Sequence, residues 1–255
     1  MGFDIDPQLI LILVGFGFLA AFIDSVVGGG GLISLPALMF SGLSPSAAVA
    51  TNKLASSMGS LTSTITFYRS GKLDLKSVSK FVPFVFICSI IGAWIVHLLD
   101  PNLLKPLMLI MLAVVAVYTI LKKDWGGISG IKQLSKPKYI LFFVVIAFIG
   151  FYDGFLGPGT GSFLIFAFLM VGYDFLKAAG NAKLLNLTSN VGALLMFLYL
   201  GQVNFTYGII MGLSQIVGAA VGSRFALKRG SGYVRVLFII VTFTLLAKNT
   251  YDYFF

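Results

Sequence analysis

Two glycine-rich segments contain the residues of this chain whose types and spacing could do chemistry. In the first, Asp24 precedes Gly28, Gly29, Gly30 and Gly31, and in the second, Asp153 precedes Gly157, Gly159 and Gly161. Consecutive glycines hold a helix poorly, because each costs about 1 kcal/mol relative to alanine. Both segments lie in apolar sequence, where a carboxylate and broken backbone indicate a functional site lined by protein or water. Two such breaks in corresponding halves of a chain are typical of a transporter's central site.

The composition is that of an integral membrane protein. Hydrophobic residues make up 58% of the chain and charged residues 11%, and the mean hydropathy is +0.98. The net charge of +9 comes largely from Lys and Arg in the connections between apolar runs, which indicates a lipid bilayer rather than nucleic acid as the partner. One histidine and one cysteine predict no histidine-based metal site and no intrachain disulfide, and we expect no cofactor. Residues 1–6 lack the basic leader of a cleaved signal peptide, so we expect the first apolar run to be retained.

Apolar runs separated by turn residues predict an all-α fold. Leu9–Val27 is close to the roughly 20 residues that span a bilayer as a helix, whereas Leu32–Phe40 is too short to span alone. Ser44 and Pro45 predict the N-cap and the first position of a long polar helix over Ser46–Tyr68. The further predicted spans of the first half are Phe81–Leu98 and Leu103–Leu121.

The second half of the chain repeats the first at an offset of 130 residues. Lys53 and Leu54 match Lys183 and Leu184, while the two aspartates need a gap of one residue. The matched glycines include Gly29 with Gly159, Gly31 with Gly161, Gly42 with Gly172, Gly71 with Gly201 and Gly92 with Gly222. We therefore predict a first repeat over residues 1–122, a cytoplasmic connector over 123–137 and a second repeat over 138–255, all within one transmembrane domain.

The distribution of charge predicts that the two repeats face opposite ways. Arg69–Lys80 is basic but its counterpart, Tyr199–Ile210, has no Lys or Arg, and the basic segment around Lys228 has a weakly charged counterpart. The positive-inside rule then requires inverted repeats, each with a glycine-broken helical hairpin plus about three transmembrane helices. The hairpins would be Leu9–Phe40 and Tyr139–Val171. The alternative is eight full crossings in parallel repeats, which would place one basic loop on the wrong side.

Several motifs resemble the TauE/SafE family of membrane proteins. They are Phe22-Ile23-Asp24-Ser25 with Gly28–Pro36 and Ala50–Leu54 in the first half, and Gly150–Gly154 with Gly157-Pro158 and Ala182–Asn186 in the second. The resemblance covers nearly the whole chain, and its motifs are specific to the family but not to a substrate. It implies a multi-pass transporter of the prokaryotic plasma (inner) membrane for small anions, with sulfite, thiosulfate and sulfonates as the typical class.

The predicted site binds a small anion through donors of both halves. Half-helices beginning near Leu32 and Ser162 would offer backbone N–H groups and a positive dipole end, which the glycines let a ligand approach. Polar helix faces would add Asn52, Lys53, Ser56 and Ser57 in the first half, and Asn181, Lys183, Asn186 and Asn190 in the second. Asp24 and Asp153 are the candidate carriers of a coupling proton.

Structural interpretations of the same residues remain open at this point. Asp24 could pair with Lys53, and Asp153 with Lys183, because charges within a membrane usually pair with one another. The glycines could serve only close helix packing, and the hydroxyl groups along the first polar helix could form only interhelical hydrogen bonds.

The residues predict a secondary-type transporter of small anions that uses an ion gradient, and the resemblance implies an exporter of sulfite-type oxyanions. Gly157–Gly161 lacks the lysine and the Ser/Thr ending of a phosphate-binding loop, so we expect no use of ATP through it. A passive anion channel could use the same donors. An intramembrane aspartyl protease would need Asp24 and Asp153 to share a proton, but it would not need their equivalence in two repeats. We therefore expect no enzymatic activity.

Overall fold

The computed structural model describes residues 6–100 and 135–229, together with Leu103, Pro106 and Ile110. This part of the chain is all-α and contains no strand among the described residues. Its elements are α1 (Pro7–Val27), α2 (Gly31–Phe40), α3 (Pro45–Arg69), α4 (Leu75–Val78), a 3-10 turn (Ser79–Phe81), α5 (Val82–His97), α6 (Lys136–Phe155), α7 (Thr160–Met170), α8 (Phe175–Tyr199) and α9 (Phe205–Arg229). The predicted all-α membrane architecture is confirmed.

The helix bounds follow the local sequence signals. Ser44 caps α3 by accepting a backbone N–H at 3.4 Å, and Pro45 occupies the first turn, where its missing N–H is not needed. The two short helices begin slightly earlier than expected, α2 at Gly31 and α7 at Thr160. Most of the helix predicted over Leu103–Leu121, most of the connector and the end of the predicted second repeat lie outside the described residues.

Apolar helices surround two polar ones. Among the described residues, four segments are long and apolar enough to cross a membrane: Pro7–Val27, Leu75–His97, Lys136–Phe155 and Phe205–Arg229. α3 and α8, of 25 residues each, carry many polar side chains and pack against each other between these segments. The arrangement is the one expected in lipid, because polar side chains there need partners inside the protein.

Each broken hairpin packs against a helix of the other half. α1 lies along α9 in the same direction, with Gly17 against Met211 and Phe22 against Gly222. α6 lies along α5 in the same manner, with Gly150 against the backbone of α5. Small residues let helix backbones approach closely in membranes, so close packing is one role of the glycines outside the breaks.

α3 and α8 run antiparallel through the centre of the bundle. Thr51 Oγ1, near the start of α3, accepts from the backbone N–H of Asn204, which follows the end of α8, at 3.0 Å. Asn181 Oδ1, near the start of α8, accepts from the backbone N–H of Asp74, which follows the end of α3, at 2.9 Å. Thr51 and Asn181 are 130 residues apart in the sequence, and so are Asp74 and Asn204. The two halves therefore make reciprocal contacts in opposite directions.

Basic residues of the described part gather at one end of the bundle. Gly180, near the start of α8, packs against the carbonyl oxygen of Lys72, which follows α3. Lys80 Nζ lies 4.8 Å from the ring centroid of Tyr139 at the start of α6. α9 runs parallel to α3, so its basic C-terminal turn lies at this end too. Apart from two lysines inside the bundle, every Lys and Arg that the structure describes lies toward this end.

Candidate functional site

A small polar cavity lies where the two glycine breaks meet beside α3 and α8. Its wall combines the backbone of both breaks with side chains of α1, α3, α6, α8 and α9. The predicted site residues on this wall are Asp24, Gly29, Gly30, Gly31, Asn52, Lys53, Ser56, Asp153, Gly157, Gly159, Gly161, Asn186 and Asn190. Residues predicted separately in each half thus come together at one place.

The two breaks are in direct contact. Gly28 follows α1 with a φ of 73°, in the left-handed region that favours glycine, and a Cβ at this position would overlap the backbone of Gly161. Ser162 Oγ donates to the carbonyl oxygens of Val27, at 2.9 Å, and of Gly28. These bonds satisfy carbonyl groups that the end of a helix leaves without a partner. One break therefore holds the backbone of the other.

Asp24 forms the first of two buried ion pairs. Its Oδ2 lies 2.7 Å from Lys183 Nζ, and Lys183 also donates to the carbonyl oxygen of Asp24. Asp24 Oδ1 accepts from the backbone N–H groups of Gly29, at 3.1 Å, and of Gly30, at 3.3 Å. The Lys183 side chain is fully buried, whereas that of Asp24 is 21% exposed and faces the cavity. Two of the backbone donors expected to receive a substrate are thus occupied by this carboxylate.

Lys53 forms the second ion pair, with Asp153. The Lys53 Nζ lies 3.0 Å from Asp153 Oδ1 and donates to Asn190 Oδ1 at 3.2 Å, while Asp153 Oδ2 accepts from Ser189 Oγ. The exposed fractions of the two paired side chains are only 2% and 3%, although both contribute to the cavity wall. Lys53 and Lys183 occupy the same position in α3 and α8, so the antiparallel helices bring them to the site from opposite ends.

Both ion pairs join the two halves of the chain. The pairing within each half that the sequence left open, Asp24 with Lys53 and Asp153 with Lys183, is wrong. Each hairpin packs against the other half, so each carboxylate meets the lysine of that half. The pairing also differs from the arrangement of an aspartyl protease, in which two carboxylates share one proton.

Neutral side chains provide further donors along the wall. Ser56 Oγ donates to Asn52 Oδ1 at 3.3 Å, and Asn190 Nδ2 donates to Asn186 Oδ1 at the same distance. An amide NH2 group carries two hydrogens, so Asn190 keeps donor capacity after this bond. Gln215 adds an amide from α9. The wall can therefore offer hydrogen bonds from three helices.

Four predicted site residues are absent from the described cavity wall: Gly28, Ser57, Asn181 and Lys183. Gly28 packs against the other break, and Lys183 lies behind the carboxylate of Asp24. Ser57 Oγ donates to a carbonyl oxygen one turn earlier in α3, at 2.7 Å. Asn181 precedes Lys183 by two residues, so it points to a different side of α8, where it binds the segment after α3.

The wall also contains residues that were not predicted as part of the site: Ala20, Ala21, Ser25, Gly59, Ser60, Thr160 and Gln215. Ser60 continues the polar face of α3 one turn beyond Ser56, so the periodicity could have included it. Gln215 is an amide within an otherwise apolar run, which is the sequence signal that could have identified it. The alanines carry no such signal, since their place on the wall depends on how α1 packs.

An all-α bundle whose broken helices meet at a buried polar site is typical of membrane transporters. The sequence matches the family described as Sulfite exporter TauE/SafE over residues 13–249. The chain therefore belongs to the TauE/SafE family, which confirms the resemblance found in its glycine-rich motifs.

Proteins with similar sequences are named as membrane transporters. "Probable membrane transporter protein YfcA" of Escherichia coli (strain K12) is 38% identical over 253 residues, which cover 98% of this chain and 93% of the relative. "Probable membrane transporter protein" of Haemophilus influenzae is 35% identical over 251 residues, covering 98% and 97%. "Probable membrane transporter protein YunE" of Bacillus subtilis is 24% identical over 272 residues, covering 95% and 99%. No solved structure matches the chain. These relatives support a multi-pass membrane transporter.

Proposed function

We propose that the protein is a secondary transporter that exports small oxyanions of the sulfite, thiosulfate or sulfonate type through the central cavity. The observation that carries this proposal is the meeting of two glycine breaks, a buried lysine and several amides at one cavity inside a membrane bundle. The family's description as a sulfite exporter supports both the substrate class and the direction of transport.

The wall chemistry suits an anion that exchanges its water shell for fixed donors. The N-terminus of α7 presents the positive end of its dipole at Gly159 and Gly161, where glycine lets an oxygen approach the backbone. Lys53 adds a positive charge at a buried position, where an electrostatic contact is stronger than at the surface. No aromatic side chain is among the described wall residues, so the site does not resemble an aromatic cage for a cation.

The membrane arrangement that we propose consists of inverted repeats in a prokaryotic inner membrane. It is supported by the antiparallel α3 and α8, by the reciprocal contacts of the two halves and by the single basic end of the bundle. By the positive-inside rule we expect that end to face the cytoplasm, together with the connector predicted over 123–137. The α1–α2 hairpin would then enter from the outside and the α6–α7 hairpin from the cytoplasm.

Charge balance at the cavity favours coupling to protons. The two ion pairs carry no net charge together, so an added anion would place an uncompensated negative charge in a buried site. Protonation of one carboxylate leaves a lysine whose charge compensates the anion. Asp24 and Asp153 are the candidates for this proton.

The binding test uses purified protein and measures the shift of the melting temperature with sulfite, thiosulfate, sulfoacetate, sulfate, lactate and simple cations. We expect an oxyanion at about 100 times its Kd to stabilise the fold by about 2.7 kcal/mol. The shift should disappear in the Asp24→Asn/Lys183→Gln double variant, which removes a neutral pair together with the lysine that would compensate the anion, and persist in Lys76→Gln, a lysine far from the cavity. Stabilisation by a cation, or an oxyanion effect that survives in the double variant, would contradict the proposal.

The coupling test uses vesicles with an imposed pH gradient and a radiolabelled oxyanion that binds. A transporter accumulates the anion against its concentration difference, and collapse of the gradient with an uncoupler stops the accumulation. Movement that only equalises the two concentrations would indicate a passive channel instead.

A further inference from the structure

We propose that the Asp24 carboxylate is the resting occupant of the anion position and gives way to the substrate, whereas Asp153 is locked in its ion pair. This inference rests on the proposed function, because it concerns what an oxyanion must displace in the same cavity.

The contacts of Asp24 are those of a bound anion. Its Oδ1 accepts from two successive backbone N–H groups at the start of α2, and its Oδ2 accepts from Lys183. A Cβ added at Gly161 would come within 3.3 Å of the same Oδ1, so this oxygen also faces the start of α7. A carboxylate oxygen thus lies between the N-terminal ends of two half-helices, where an oxyanion would find the same donors.

Asp153 cannot form the corresponding contacts, because the second break has a different backbone. The fifth residue after Asp24 is Gly29, with an N–H that donates and a φ of 132°. The fifth residue after Asp153 is Pro158, which has no N–H and a φ held near −65°. In the part of the chain that the structure describes, Asp24 accepts from two backbone N–H groups, whereas Asp153 is bound by the side chains of Lys53 and Ser189.

Ser189 provides Asp153 with a hydrogen-bond donor in place of the backbone N–H groups that bind Asp24. Its hydroxyl donates to Asp153 Oδ2, while Lys53 pairs with Oδ1, so both oxygens of Asp153 are held by side chains. The residue 130 positions before Ser189 is Gly59, which offers Asp24 no hydroxyl. The two carboxylates thus have different hydrogen-bond partners. Asp24 binds backbone N–H groups that a substrate could also bind, whereas Asp153 binds side chains of its own.

The exposed fractions of the two aspartate side chains support the same distinction between them. The Asp24 side chain is 21% exposed on the cavity, and that of Asp153 is 3% exposed. The charged groups around Asp24 are Lys183 on α8, in contact, and the Lys53–Asp153 pair across the cavity. An incoming anion would take over the N–H groups of Gly29 and Gly30, and Asp24 would accept a proton from solvent as it leaves them.

The first experiment needs no substrate. Infrared difference spectra between neutral and acidic solution contain the bands of all protonated carboxyl groups, and subtracting the spectrum of a variant from that of the wild type isolates the band of one of them. We expect a protonated-carboxyl band that disappears in Asp24→Asn and remains in Asp153→Asn. The matched double variants, Asp24→Asn/Lys183→Gln and Asp153→Asn/Lys53→Gln, remove a whole pair each and give the same comparison if a single variant does not fold. A band that follows Asp153, or no band at all, overturns the proposal.

The second experiment is calorimetry of thiosulfate binding in buffers of different ionisation enthalpy, because thiosulfate, unlike sulfite, exchanges no proton near neutral pH. We expect the wild type to take up a proton as thiosulfate binds, and to bind more tightly as the pH falls, because protonated Asp24 no longer competes. Asp24→Asn should bind thiosulfate about tenfold more tightly, since one hydrogen bond to a charged group corresponds to roughly that factor, and without proton uptake. Unchanged affinity and proton uptake in Asp24→Asn would overturn the inference.

The proposed substrate class and the proposed role of Asp24 can be refuted independently of each other. If sulfite, thiosulfate and sulfoacetate all fail to bind the wild type, the proposed substrate class is wrong, and the infrared comparison still decides whether Asp24 or Asp153 exchanges its proton.

Discussion

The pairing of Lys53 with Asp153 across the two halves makes a quantitative prediction about stability. Their Nζ and Oδ1 atoms are 3.0 Å apart and the side chains are 2% and 3% exposed. Removing one partner of such a pair leaves a buried charge without compensation, which costs about 3–5 kcal/mol, whereas replacing both partners is often near neutral. We therefore expect Lys53→Gln and Asp153→Asn each to destabilise the protein strongly, and the double variant to recover most of the loss.

The assay is thermal unfolding of the purified protein. At about 2–4 °C per kcal/mol for a chain of this size, each single variant should melt roughly 6–20 °C lower than the wild type. The control is the combination Asp153→Asn with Lys183→Gln, which takes one member from each pair. It should not recover stability, because Asp24 and Lys53 then both lose their partners. Recovery in this control, or a Lys53/Asp153 double variant whose loss equals the sum of its single variants, would refute the cross-half pairing.

Two further predictions concern topology and packing. With single cysteines at Lys76, Lys228 and Gln202 in a cysteine-free background, an impermeant thiol reagent should label the first two from the same side of the membrane and the third from the other; opposite accessibility of Lys76 and Lys228 would exclude the inverted arrangement. Gly154→Ala should lower the melting temperature markedly, because its Cβ would overlap the Ser89 carbonyl group, whereas Gly15→Ala, whose Cβ meets nothing within 4 Å, should leave it unchanged or slightly raised. Equal effects of the two alanines would show that this helix contact is not tight.

The sequence by itself determined the elements and the membrane class. The length of Leu9–Val27 is limited by the bilayer, and the glycines after it end the helix through their own backbone freedom. Ser44 and Pro45 specify the start of α3 through bonds made within one turn. The same local signals recur in the second half, so the short helices and the long polar α8 could be predicted within a few residues.

The sequence also predicted much of the site, because polar groups are rare inside a membrane protein and are costly unless they have partners or a function. Asn52, Lys53 and Ser56 share a helix face by periodicity alone, and the structure places all three on the cavity wall. Asn181 and Ser57 are different, since they carry the right chemistry on faces that bind other parts of the protein.

Only the tertiary structure decided which charges meet. Asp24 and Lys183 are 159 residues apart, and they pair because α1 packs beside the second half rather than beside its own. The packing of α9 against α1 and α3 also brings Gln215 to the cavity, far in sequence from the rest of the wall in the first half. Such contacts depend on the relative placement of distant helices, which no local periodicity or capping signal encodes.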